Sequence, residues 1–137
     1  MDLNIEHGKI ELPYNPIVRT ATPVFDQQGK KRGIIIINLN ASAIFTQLKS
    51  DAENTIGELM LLNERGYWLF GHERDAAWAF MFPEYTDRKL EKYYPGAWQK
   101  IRDNDKGAFE TPDGYFIFTT ITTGQPGINS IELNKTS

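Results

Sequence analysis

The chain contains no cysteine. Disulfides, thiolate nucleophiles and cysteine-ligated metal sites are therefore excluded. Histidine is nearly as scarce, with His7 and His72 far apart in sequence. A lone histidine beside carboxylates, as in His72-Glu73-Arg74-Asp75, reads as a solvated turn, and no metal site is expected. Asp103-Asn104-Asp105 falls short of a calcium loop, because Gly107 comes fifth where the glycine belongs sixth, and Gly114 holds the twelfth, acidic position. The serines are Ser42, Ser50, Ser130 and Ser137, none in a Gly-x-Ser-x-Gly frame. Phosphate-binding and dinucleotide fingerprints are missing too. No cofactor is implied, and the chain does not read as an enzyme.

Positive charge is not in excess. Lys and Arg number 15 against 18 Asp and Glu, for a formal net charge of −3. Binding to nucleic acid rests on neutralising phosphates, so it is not expected. Long apolar runs are lacking. The longest, Ile34 to Ile37, falls far short of the ~20 residues of a membrane helix. Met1 to Glu6 has neither a basic region nor an apolar stretch. The N-terminus thus does not resemble a secretion signal, and the chain as written reads as cytoplasmic with no membrane segment.

What is present is an ordinary globular balance, 40% hydrophobic and 24% charged over 137 residues. That length suits one compact domain. Residues 17–25 are rich in β-branched side chains and read as a strand, with Pro23 requiring an edge, a bulge or a strand end. Asp26 to Lys30 is a turn, and residues 33–39 form the returning arm. Four successive isoleucines point to both faces, which predicts a central strand covered on both sides.

Asn40 or Ser42 can cap a helix whose apolar positions Ile44, Phe45, Leu48, Ala52 and Ile56 recur at helical spacing, closed by Gly57. Residues 58–63 and 67–70 form a second hairpin around Asn63-Glu64-Arg65-Gly66. Thr86 caps a short helix holding Leu90, Tyr93 and Tyr94, and Pro95 stops it and starts another turn of helix through Trp98 and Ile101. Residues 107–111 and 115–121 form a third hairpin around Asp113-Gly114. The tail from Gly124 is polar and reads as loose, with a weak strand at Ile131 to Leu133. Hairpins alternating with helices predict an α+β fold, a PAS/Cache-like antiparallel sheet of five to six strands with flanking helices.

The run Pro16-Ile17-Val18-Arg19-Thr20-Ala21-Thr22-Pro23-Val24-Phe25-Asp26, then Gly29, then Gly33 to Asn38, resembles the closing hairpin of the membrane-distal module in double Cache (PAS-like) sensor domains. These are the extracytoplasmic sensors of bacterial histidine kinases, diguanylate cyclases and chemoreceptors. Residues 57–72 resemble the opening hairpin of the membrane-proximal module. The resemblance covers residues 5–122 and implies three parts: residues 1–40 as the closing distal hairpin, 41–56 as a connector helix, and 57–137 as the proximal PAS-like module. It also implies that the chain is cut at both ends relative to the family. An aspartate of the amino-acid-sensing branch falls at Asn38, so no charged partner for an amine is kept there.

The resemblance implies a small-molecule-binding sensory module without catalytic activity. Ten of the aromatics, including every tryptophan, lie between Tyr67 and Trp98. Such rings either line a pocket for a small organic ligand or fill a core, and the second is their commoner use. The candidate ligand residues are Tyr67, Trp68 and Trp78, with Arg19, whose planar fork suits a carboxylate, and Asn38. The alternative is a non-catalytic interaction protein, without a ligand, that oligomerises through sheet edges. Either residues 17–40 fold onto the sheet of residues 58–122, or a second copy supplies the missing partner. An open apolar edge predicts a homodimer.

Overall fold

The computed structural model describes residues 1–71 and 76–122. His72 to Asp75, Ser130, Ser137, the tail from Gly124 and the weak strand at Ile131 to Leu133 lie outside them.

Three short strands open the chain: β1 (Asp2–Leu3), β2 (Ile5–Glu6) and β3 (Lys9–Ile10). β2 and β3 are joined by His7 and Gly8, both at positive φ, 49° and 76°. A two-residue loop with this backbone matches the twist of its strands, so His7 is a turn residue, as its sequence context suggested. β4 (Pro16–Phe25) and β5 (Lys31–Asn40) then form a long antiparallel hairpin, in register from Ile17 opposite Asn40 to Val24 opposite Gly33. Ten residues at ~3.3 Å each make a ribbon about 33 Å long. Asp26 holds its turn. One carboxylate oxygen accepts the N–H groups of Gln28 and Lys30, each at 2.9 Å, and the other pairs with Arg32 at 2.6 Å.

The base of the ribbon is packed. β1 lies along β4 at Pro16 and Ile17, and Leu3, Ile17 and Ala41 are buried. Beyond the base, among the described residues, β4 pairs with β5 alone. Pro23, which cannot donate, therefore lies at a locally free edge, as its chemistry requires.

The isoleucines do not meet their expectation. Ile34 to Ile37 are 50–58% exposed, and every residue of β5 is open to water. A strand buried on both faces was expected. Among the described residues no helix or sheet lies over either face of the ribbon, so the apolar run is there without its cover.

Helix α1 (Ser42–Glu53) follows. Asn40 stabilises its start, its side-chain oxygen accepting the N–H of Ser42 at 2.8 Å, while the cap position itself is Ala41. The helix ends earlier than Gly57: Asn54 and Thr55 donate back to Asp51 and Ala52, and Gly57, at φ 101°, turns the chain beyond them. Phe45, Leu48 and Ala52 are half-buried, and Ile44 faces water.

The second half holds β6 (Leu61–Leu62), β7 (Trp68–Phe70), α2 (Leu90–Tyr93), α3 (Pro95–Arg102), β8 (Lys106–Thr111) and β9 (Gly114–Thr119). Thr86 sits in a turn ahead of α2, whose cap position is Lys89. Pro95 opens α3, where its missing N–H costs nothing.

The class is α+β, as expected. The strands, however, divide into one three-stranded sheet and three two-stranded ones, in place of a single sheet of five to six. Each hairpin closes on itself, and the β8–β9 hairpin meets the helical region through side chains, as where Tyr94, between α2 and α3, meets Phe116 edge-on at 5.8 Å. Two clusters form the core. One gathers Trp68, Ala76, Leu90 and Trp98, the other Leu3, Leu69 and Trp78.

Candidate functional site

The β6–β7 hairpin sets the aromatic module. Asn63 accepts the N–H groups of Arg65 and Tyr67 on its side-chain oxygen, at 3.0 and 3.1 Å, which tightens the turn. Gly66 follows at φ 80°, where any added Cβ would meet the Trp98 ring at 3.0 Å. Successive strand residues point to opposite faces. Trp68 and Leu69 consequently enter different clusters.

Trp68 is fully buried, its indole N–H directed at the sulfur of Met60 at 3.3 Å and its ring edge-on to Tyr93 at 5.6 Å. Its carbonyl accepts the N–H of Trp78 at 2.8 Å. Trp78 holds a left-handed backbone, φ 62°, and is 5% exposed. Its ring lies 5.6 Å from Phe45 of α1 and 6.2 Å from Phe80. Tyr67 donates its hydroxyl to the carbonyl of Thr86. Tyr67 and Phe80 are 5.6 Å apart, and the Arg65 guanidinium lies over both, at 5.4 and 5.2 Å.

The other two candidates stand together elsewhere. Arg19 and Asn38 are directly opposed on the ribbon, and Arg19 Nε donates to the Asn38 side-chain oxygen at 3.0 Å. Both are exposed, and neither belongs to the aromatic clusters. The five sequence-derived residues thus fall into two places: Tyr67, Trp68 and Trp78 in the packed module, Arg19 and Asn38 on the open ribbon.

Two features were not singled out in the sequence. One is the Arg65–Tyr67–Phe80 rim, whose cation sits two residues before Tyr67 across a recognisable turn. The other is an open cleft of about 280 Å³ between α3 and the β8–β9 hairpin, lined by Lys100, Asn104, Lys106, Gly107, Phe109 and Phe118. Lys100 lies 5.2 Å over the Phe109 ring. Its volume is just below the ~300 Å³ at which ligand pockets usually begin. The end of α3 and the start of β8 are close in sequence, and the remaining wall, Phe118, is brought in by its register opposite Gly107.

Electrostatics here are superficial. The Lys30 N–H, with help from Arg32 and Gln28, holds the Asp26 carboxyl below its ordinary range. The side-chain amides of Asn4 and Asn15 do the same for Glu11. The carboxyl of Asp87 is lowered by its hydrogen bond with Lys92. None of these groups lines the cleft, and only the Asp87–Lys92 pair borders the aromatic module, where Lys92 lies 5.8 Å over the Tyr93 ring. Among the described residues no three His, Asp or Glu side chains come close enough to hold a metal, and no helix is long and apolar enough to cross a membrane.

Comparison with known proteins fits this architecture. No curated protein matches the sequence. Two solved structures share the fold. One is the extracellular domain of a protein assigned as a histidine kinase, vpHK1S-Z8, at TM-score 0.67 and 16% identity, over 88% of this chain and 42% of that one. The other is a domain assigned to the sensory box/GGDEF family of Vibrio parahaemolyticus, at TM-score 0.70 and 16% identity, over 88% of this chain and 45% of that one. The chain therefore spans less than half the length of either structure. A family model, the sensor domain of bacterial histidine kinases, matches residues 1–131, and the chain belongs to that family.

Proposed function

We propose that this chain is a non-catalytic sensory input module that binds a small organic ligand outside the cytoplasm and acts as a homodimer. The observation that carries this reading is the match to a histidine kinase sensor family across nearly the whole chain. The extracellular assignment of the vpHK1S-Z8 domain, whose fold is shared, supports the compartment.

The parts divide as residues 1–40, 41–56 and 57–137, in the manner of two Cache-like modules joined by a connector helix. Arg19 supplies a cation for a carboxylate, with its Nε held by Asn38 and the rest of its fork free to form a bidentate pair. Tyr67, Trp68 and Trp78 stand apart from that pair and form the packed aromatic module on which α1 rests. Ligand binding shifts the equilibrium between two placements of α1 against the aromatic module, through the contact of Phe45 with Trp78.

A thermal-shift screen of the whole chain against organic acids, amino acids and amines tests this reading. A true ligand at a hundredfold excess over Kd adds ~2.7 kcal/mol of stability. The shift with acids is expected to vanish in Arg19→Lys, while the melting temperature of the free protein stays unchanged. Absence of any shift across the screen would sink the ligand reading. A second reading, an interaction protein without a ligand, is favoured by the bare β5 edge, and a stable oligomer with no ligand response would select it.

A further inference from the structure

The cleft beside α3 is built from one continuous stretch of chain, residues 100–118. Its walls are the end of α3, the short connection after it and the β8–β9 hairpin, so its shape is set locally. The hairpin turns an aromatic face to the helix. Gly107 and Phe109 on β8 oppose Phe118 and Phe116 on β9, and alternation puts these positions on one face. Phe109 stacks on Phe116 at 5.5 Å and meets Phe118 edge-on at 5.9 Å. Gly107 makes the room for this, because a Cβ there would meet the Phe118 ring at 3.0 Å.

On the helix side stands Lys100, its ammonium 5.2 Å over the Phe109 ring. The side-chain amide of Asn104 donates to the Lys100 carbonyl at 2.8 Å, which holds the last turn of the helix in place. No acidic side chain lines the cleft. Asp103, next to the helix end, is taken by Arg102 at 2.9 Å. A cation near a helix C-terminus ordinarily complements the dipole. That use accounts for the charge of Lys100 and not for the phenylalanine rings across from it. The backbone adds a donor. The Thr120 N–H bonds the Asp105 carbonyl, and the register then makes Gly107 with Phe118, and Phe109 with Phe116, the hydrogen-bonded pairs. The N–H of Ala108 therefore points away from β9, and Ala108 lines the cleft.

We propose that this cleft is a second ligand site, for a small carboxylate that carries one aromatic ring. The carboxylate takes the Lys100 ammonium and the Ala108 N–H, and the ring lies against Phe109 and Phe118. Charge, rings and size select the class. One ammonium suits a monoanion better than a phosphate dianion. Phenylalanine rings favour a flat apolar body that stacks on them or meets them edge-on. At about 280 Å³ the cleft lies below the usual range for drug-sized ligands and suits a single ring. The site is separate from Arg19 and does not depend on what the ribbon binds.

Amide NMR of the isotope-labelled whole chain, titrated with benzoate, tests this. Shifts are expected at Asn104, Gly107 and Ala108, saturating in the millimolar range. Benzamide has the same shape without the charge, and acetate has the charge without the ring. Each is expected to bind about tenfold more weakly, the size of one such contact. Lys100→Gln should weaken benzoate by about the same factor. Lys31→Gln, an equal change of charge on the ribbon, should leave it unaltered. Gly107→Ala keeps every charge and should also weaken it, by displacing the Phe118 ring. Equal losses in Lys31→Gln and Lys100→Gln would reduce the effect to net charge and overturn the site. Benzamide binding as tightly as benzoate overturns it too. Shifts confined to Arg19 and Asn38 that vanish in Arg19→Lys overturn the cleft and leave the ribbon reading standing. No shift at tens of millimolar benzoate overturns the cleft outright.

Discussion

The ribbon of β4 and β5 and the module around β7, α2 and α3 are built from similar side chains and treat them in opposite ways. Ile34 to Ile37 stand in water, whereas Trp68, Leu90 and Ala97 are sealed at 1% exposure or less. The difference comes from topology rather than composition. Between β6 and α3 short strands alternate with short helices, so the apolar faces there have a neighbour a few residues away in sequence. The ribbon is one long excursion with a tight turn, and among the described residues its base is the part that packs against other elements. Apolar character therefore states that a surface needs cover. It does not state that the same chain provides it.

Substitutions can break or sharpen that contrast. Trp68→Ala should have the largest effect, because it empties the centre of one cluster. A loss of about 3–5 kcal/mol is expected by urea unfolding. A loss below 1 kcal/mol would mean that the module is loosely packed. Next comes Gly71→Ala. Gly71 has φ 83°, and an added Cβ would meet the Leu59 carbonyl at 2.3 Å, so the β6–β7 pair must open. A cost on the order of 2–3 kcal/mol is expected for this strain. Tyr67→Phe keeps the ring and removes the hydroxyl that reaches Thr86. The expected loss is about 1 kcal/mol.

On the ribbon the same measurement should hardly respond. Val24→Thr exchanges a methyl for a hydroxyl at an exposed site away from the β5 edge. Its effect should stay within about 0.5 kcal/mol. A cost above 2 kcal/mol would show the ribbon face to be covered in solution. The smallest effect concerns Asp26. Its carboxyl is held below the ordinary value of 3.8 in the folded state, so its contribution is present above that value and fades as pH falls through the folded pKa. Asp26→Asn should flatten this acid dependence, read as faster amide exchange at Lys30 in the wild type only below pH 4.

Much of this was legible in the sequence. The three hairpins from β4 onward, both helical regions and the proline start of α3 follow from alternation, turn residues and helical spacing, whereas the small β2–β3 hairpin was not read from the sequence. The sensor family was legible from the residue 16–38 run. What stayed hidden was how the hairpins relate. Isoleucine alternation describes a strand that wants two covered faces, and it is silent on whether another hairpin reaches it. The aromatic positions were visible, but their partition was not. Trp68 and Leu69 are adjacent and enter different clusters, which only the pleat decides. Arg19 and Asn38 were chosen for separate reasons, and the hairpin register makes them neighbours. The cleft at Lys100 and Phe109 depends on how α3 meets β8, which no local pattern encodes.

The ring contact between Phe45 and Trp78 gives the molecule an optical handle. Trp68 and Trp98 sit in one cluster and Trp78 in the other, so the three indoles sample separate surroundings. The ring of Trp78 meets Phe45 of α1, the element that follows the ribbon directly. With Trp98 and Trp68 replaced by phenylalanine, the remaining emission becomes a gauge of how α1 sits. Its wavelength and quenching would then follow the helix in real time, without any dye or label.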